Sequence, residues 1–336
     1  MKRKIIKQGH QTLTMTLPMK WAQKHHIKAG DEIDLLEQGR DLKICPQASD
    51  LDDRAVIDIS GLMIPLVWRF ISSAYRAGYN EIKIIFENRG FRHLYTAFTY
   101  NTLYPLKDGK EQELSPLEAI QALVNRFVGF EIIEQKPNYC VIKDLGETSA
   151  KEFDNTLRRI FLLLQTMSDA VLLAVDKNDE EGLRGMHIID SNVDRFEDYC
   201  LRILNKQGYG TYKQTTSMYS LILVLELVGD DYKKLGLHVL SMKKVSEEVK
   251  TYFRHIDTMI RAYYEFYYRF SKEGAEKIFR MDEEAYRLFD QISPPARNEE
   301  KELMHHLKKI SRYIITLTEL RIDMEYQGSE KKWGEE

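Results

Sequence analysis

Glu226-Leu227-Val228-Gly229-Asp230 and Glu319-Leu320-Arg321-Ile322-Asp323 are the two stretches on which the reading of this chain turns. In each, an acid is followed four positions later by Asp, inside a run with helical spacing. Positions i and i+4 share one face of an α-helix. Two carboxylates placed there repel unless a cation or a basic partner sits between them. The two stretches lie 93 residues apart. A fixed offset marks an internal repeat, so this part of the chain reads as two copies of a three-helix unit. Leu225, Leu227 and Val228 make the surroundings of the first stretch more apolar than a solvated helix face.

Working outward, residues 148–328 read as helices throughout. Ser149 and Glu152 form a capping box, and Phe153, Leu157, Ile160, Phe161, Leu164, Met167 and Val171 keep helical spacing after it. Breaks near Asn178-Asp179, Gly208-Tyr209-Gly210, Ser241, Gly274 and Ser293-Pro294-Pro295 leave six helices. Long helices with short loops predict an antiparallel bundle, with repeats at about 148–240 and 241–328. Asp190 and Asp194 add an acid pair of the same spacing on the second helix. Facing helices can therefore aim Asp190, Asp194, Glu226 and Asp230 at one point, and such oxygen-rich sites suit Mg, Mn, Fe or other hard cations. In the second copy the offset places Glu283 opposite Asp190 but Arg287 opposite Asp194. Glu319, Asp323 and Glu283 (or the nearby Asp282) remain, a weaker or metal-free set. The aromatic run Tyr263–Tyr268 reads as bundle packing with some rings facing a neighbour. Of the adjacent His305 and His306, at most one can serve the second acid set.

The first 148 residues differ in kind. Residues 1–48 read as strand, strand, short helix, strand, strand, with Pro18 opening the helix. Lys2, Arg3, Lys4, Lys7, Lys20, Lys24 and Lys28 meet no acid before residue 31, so a net charge of −3 resolves into +7 over the first 30 residues and −10 over the rest. Clustered cations without acids are what phosphate contact needs, and Lys2, Arg3, Lys4, Lys7 and Lys20 are the DNA-contact candidates. A unit this small cannot bury a good core alone, so dimerisation is expected. Residues 51–147 read as a small α/β module. In it, Ser60 is placed to cap a helix over 62–77, Ser115-Pro116-Leu117-Glu118 forms a capping box, and a hairpin turns at Lys136-Pro137-Asn138. Phe91, Tyr95, Phe98, Tyr100 and Tyr104 suggest a second small core. The fold class expected is thus multidomain α+β.

Several classes are excluded or disfavoured. At 43% hydrophobic and 30% charged residues the chain has the composition of a globular protein, not a disordered one. No apolar run approaches the roughly 18–20 residues that span a bilayer, and no apolar signal core follows the basic start, so the cytoplasm is the expected compartment. Cys45, Cys140 and Cys200 are odd in number and form no Cys-x-x-Cys pair. The chain carries no Gly-x-x-x-x-Gly-Lys, no Gly-x-Gly-x-x-Gly and no His-Glu-x-x-His, so it reads as a non-enzyme.

The Glu226–Asp230 and Glu319–Asp323 stretches resemble the acid-x-x-x-Asp signature of PhoU, the phosphate-uptake regulator, whose duplicated three-helix unit matches the repeat over about 148–328. Asp231 and Met324 stand where that family usually has His. The resemblance implies divalent or trivalent metal ions (Fe, Zn, Mn or Mg) at the acids, and phosphate transporter components or a sensor kinase as partners. Leu13-Thr14-Met15-Thr16-Leu17-Pro18, Trp21 and Ile27-Lys28-Ala29-Gly30-Asp31-Glu32-Ile33 resemble the SpoVT-AbrB swapped-hairpin family. That resemblance implies a homodimer or higher oligomer that binds DNA through a basic face. Together the parts resemble archaeal PhoU-type proteins, and they imply a regulator of phosphate uptake or phosphate-responsive transcription. The alternatives are a protein-binding adaptor whose AbrB-like unit only dimerises and, more remotely, a carboxylate-metal enzyme.

Overall fold

The computed structural model describes residues 2–9, 11–38, 41–46, 53–87, 91–92, 113–146, 151–177, 181–242 and 244–328. The chain divides into two compact units, Met1–Asp53 and Arg54–Glu336.

In the first unit, β1 (Ile5–Gln8) and β2 (Thr12–Met15) form an antiparallel hairpin in which Ile6 faces Thr14. Gly9 takes a φ of +75° in its turn, a conformation that Gly adopts without steric cost. Pro18 supplies the N-cap of α1 (Met19–Lys24), and β3 (Ile33–Gln38) pairs with β4 (Asp41–Pro46). The expected order of strands and helix is the observed one. Among the described residues of this unit none is fully buried. Ile5, Leu13 and Met19 stay 67%, 68% and 70% exposed.

The second unit holds two separate hydrophobic cores. The smaller belongs to a mixed sheet in the order β5 (Arg54–Asp58), β6, β10, β9. A crossover through α2 (Ile64–Ala77) leads to β6 (Glu81–Ile85), parallel to β5. The two-residue strands β7 (Phe91–Arg92) and β8 (Glu113–Leu114) pair with each other ahead of α3 (Pro116–Val124). The hairpin β9 (Phe130–Lys136) and β10 (Tyr139–Asp144) then adds antiparallel to β6. Ile82, Ile84, Cys140 and Ile142 on the strands pack under Val67, Ile71, Tyr75, Ile120 and Leu123 of the helices. The capping box of Ser115 and Glu118 forms as expected. Ser60 does not cap α2. Its backbone N–H donates to Asp58 Oδ1 in a turn, and the helix starts later with Met63 at its N-cap. Ser149 and the aromatics Tyr95, Phe98, Tyr100 and Tyr104 lie outside the described residues.

The larger core belongs to a bundle of α4 (Lys151–Lys177), the single turn α5 (Glu181–Arg184), α6 (Met186–Gln207), α7 (Tyr212–Ser241), α8 (Glu247–Tyr268), α9 (Lys272–Ile292) and α10 (Asn298–Gly328). The six long helices are those expected. The break before α9 falls at Arg269–Ser271, because the Ser271 hydroxyl accepts from Gly274 N and takes Gly274 into the first helical turn. Every apolar residue singled out on α4, from Phe153 to Val171, is buried. The aromatic run of α8 wraps one ring, with Tyr263, Tyr264, Tyr267 and Tyr268 all within 6.1 Å of the Phe161 centroid. No described helix is long and apolar enough to cross a membrane.

Candidate carboxylate centre and basic face

On α6, Asp190, Asp194, Glu197 and Asp198 are spaced 0, 4, 7 and 8 along the chain, which places them in one row. Glu226 and Asp230 of α7 face this row. Gly229 of α7 packs against both neighbours: a Cβ there would stand 3.3 Å from Leu164 of α4 and 3.5 Å from Val193 of α6. Asp194, Glu197 and Glu226 each offer an oxygen within 4.8 Å of the other two. Lys233 bridges Asp190 and Asp230 at 2.7 Å each. The four acids expected to converge on the first site therefore lie around one junction of α6 and α7.

Two further cations reach this junction from the α/β module. Arg76, at the end of α2, pairs with Asp198 and, at 3.3 Å, with Glu197. Arg126, just past α3, holds Asp194 at 2.8 Å. Six carboxylates thus face three paired cations. The imbalance appears in their acidities. Burial, then the charge of Asp194, raises Asp190 to about 7 despite Lys233. Burial, then Asp230 and Asp194, raises Glu226 to about 7. Burial also lifts Glu197 well above its ordinary value, outweighing Arg76, with Asp198 and Glu226 adding to the rise. Lys233 moves the other way: burial opposes its charge, but Asp190 and Asp230 hold it more firmly protonated than usual. Buried acids in excess of their cations are the donor set that a multivalent hard cation relieves, so the residues fit such an ion.

The second acid set is not brought together. Glu283, Glu319 and Asp323 are exposed, and none belongs to either group of candidate ligands among the described residues. Asp282, beside Glu283, is the inward-facing acid, and it is spent on Ser311 Oγ at 2.6 Å and Arg312 at 3.4 Å. His306 turns to Asp231 of α7 at 2.7 Å instead of to Glu319 and Asp323, while His305 is exposed. Lys309 shares Asp231 at 3.0 Å. Burial would raise Asp231, but the hydrogen bonds from His306 and Lys309 win and keep it below the ordinary carboxylate range. Burial and the neighbouring His306 lower the pKa of His238, which approaches from α7.

Glu197 is not among the ligands that the i, i+4 spacing predicts. The signal for it lies in the i, i+3 step from Asp194, on the same face as the Asp190–Asp194 pair. Arg76 and Arg126 carried no local signal, because they enter from other elements.

The candidate DNA-contact residues lie on the first unit. Lys2, Arg3, Lys4, Lys7 and Lys20 are all exposed, on and next to the β1–β2 hairpin and α1. No described acid of residues 2–30 offsets them.

Comparison with known proteins gives likenesses of two kinds. Residues 6–52 match the family described as antidote-toxin recognition MazE, bacterial antitoxin. The amino-terminal unit is thus of the MazE/AbrB type, in line with its resemblance to the SpoVT-AbrB family. The second likeness is structural. The phosphate transport system regulatory protein PhoU from Streptococcus pneumoniae is 17% identical, with 53% of this chain and 96% of that one covered at a TM-score of 0.45. PhoU from Pseudomonas aeruginosa is also 17% identical, over 53% of this chain and 97% of that one at 0.44. No curated protein sequence matches the chain.

Proposed function

We propose that this chain is a non-enzymatic regulator of phosphate uptake or phosphate-responsive transcription, with DNA contact in the amino-terminal unit and cation sensing in the bundle. The observation that carries the DNA-binding half is the amino-terminal charge: seven cations and no acid in 30 residues, on a MazE/AbrB-type hairpin unit. A face of that kind neutralises backbone phosphates and releases counterions. The unburied Ile5, Leu13 and Met19 support assembly with a second copy. The regulatory half is supported by the acid-x-x-x-Asp motif, which in the first repeat stands among carboxylates that outnumber their cations. Asp190, Asp194, Glu197, Glu226 and Asp230 would hold a divalent or trivalent ion, which when bound would offset the excess charge between α6 and α7. Proteins of the phosphate transporter or its sensor kinase are the partners this reading expects.

Electrophoretic mobility shift at several salt concentrations tests the DNA contact. The wild type should retard duplex DNA with a steep salt dependence. Replacing Lys4, Lys7 and Lys20 together by Ala should weaken binding uniformly across sequences and reduce the log–log salt slope by up to about 3. Absence of retardation at low salt would leave the unit as a dimerisation module of an adaptor.

A further inference from the structure

One cluster of ligating side chains stands apart from the carboxylate centre. His238 lies eight residues beyond Asp230 on α7, about 12 Å along the helix at 1.5 Å per residue. Glu302 and His306 occupy positions i and i+4 on α10 and so share one face of it. One nitrogen of each histidine and one oxygen of Glu302 lie within 4.8 Å of one another. The two imidazole centroids are 5.4 Å apart. His306 is buried, His238 half-buried and Glu302 exposed, so the group opens to solvent on one side.

The orientation of His306 is set from behind. Its Nδ1 is 2.7 Å from Asp231 Oδ1, and that oxygen also takes a hydrogen bond from the Lys309 ammonium at 3.0 Å. An ionised carboxylate has no proton to give, so the imidazole Nδ1–H must be the donor. In the neutral ring the lone pair is then on Nε2. A histidine whose one nitrogen donates to a carboxylate while the other is left basic is the arrangement in which imidazole binds metal.

We propose that His238, Glu302 and His306 form a transition-metal site that clips α7 to α10, distinct from the carboxylate centre in both place and chemistry. Two imidazoles and one carboxylate suit Zn²⁺, Co²⁺, Ni²⁺ or Cu²⁺, whereas the all-oxygen cluster suits harder ions. Bonds of about 2.0–2.1 Å put tetrahedral ligand atoms roughly 3.3 Å apart. Small side-chain shifts, chiefly of the exposed Glu302, would close the remaining distance. Three protein ligands leave a fourth position for water. Since α7 belongs to the first three-helix set and α10 to the second, an ion here ties the two halves of the bundle.

Titration of the full chain with Co²⁺, followed by visible absorption and by competition with Zn²⁺, tests the site. The wild type should develop the bands of four- or five-coordinate Co²⁺, and Zn²⁺ should abolish them. His238→Ala and Glu302→Ala, at half-buried and exposed positions, should each weaken binding at least tenfold with unaltered circular dichroism. Glu226→Gln, which alters only the carboxylate centre, should leave the bands intact. No bands in the wild type, equal affinity in His238→Ala, or loss of the bands in Glu226→Gln would each overturn the proposal.

Discussion

Arg202 is wholly buried on α6, and all its partners belong to the neighbouring module. Its guanidinium donates to the carbonyls of Tyr75 and Tyr79 at 2.8 and 2.9 Å, to Asn80 Oδ1 at 2.9 Å and to Asp144 Oδ2 at 2.8 Å. It also lies 5.0 Å from the Tyr75 ring centroid and 4.9 Å from that of Phe130. A planar fork satisfies this set and an ammonium cannot. Arg202→Ala would leave the Asp144 carboxylate 7% exposed without its cation. Removing one partner of such a pair costs about 3–5 kcal/mol. Urea unfolding should show a loss of that size, and Arg202→Lys should recover only part of it. Nothing in the local sequence around Arg202 marks it, because each of its partners lies more than fifty residues away.

At the scale of elements, the face shared by α6 and α7 has a pH signature. Glu226 titrates near 7 in the folded chain, raised first by burial and then by Asp230 and Asp194. An unfolded Glu titrates near 4.3. Between those values the folded state holds a proton that the unfolded chain has released. Stability contributed by Glu226 therefore declines as pH rises from about 4.3 to 7, then levels off. Glu226→Gln removes that titration. Compared by urea midpoint in the absence of added cation, the variant should gain on the wild type across this window, and the difference should be constant above it. The helices themselves were legible, since α4 shows its apolar row and the 93-residue recurrence gives the duplication. The packing of the motif in each copy was not. Both copies have the same i, i+4 acids, yet only the first set faces neighbouring acids across the α6–α7 junction, while Glu319 and Asp323 face outward.

For the whole molecule, the amino-terminal unit is the part expected to need a second copy. It has no fully buried residue among those described, and it leaves Ile5, Ile6, Leu13, Met15 and Met19 largely exposed. Apolar surface of that kind marks an interaction site, which predicts assembly with a second copy. Sedimentation equilibrium should find the full chain as a dimer or higher oligomer, and Ile5→Ser with Leu13→Ser should shift it toward monomer while the bundle keeps its helical signal. A wild type that sediments as monomer would refute this.

Local pattern alone determined the order of the main elements, though not the short β7, β8 and α5, together with the duplicated bundle, the hairpin unit and the separation of charge between the first 30 residues and the rest. These follow from periodicity, turn residues and composition, all of which are local quantities. The tertiary structure decided which acids meet, and it added Glu197 to them. It brought Arg76 and Arg126 in from the α/β module, sent His306 to Asp231, and placed His238 opposite Glu302. Such choices depend on how helices are rotated and how closely they approach. Rotation and approach are set by packing between residues far apart in the chain, and helical spacing says which face a residue is on without saying what that face meets.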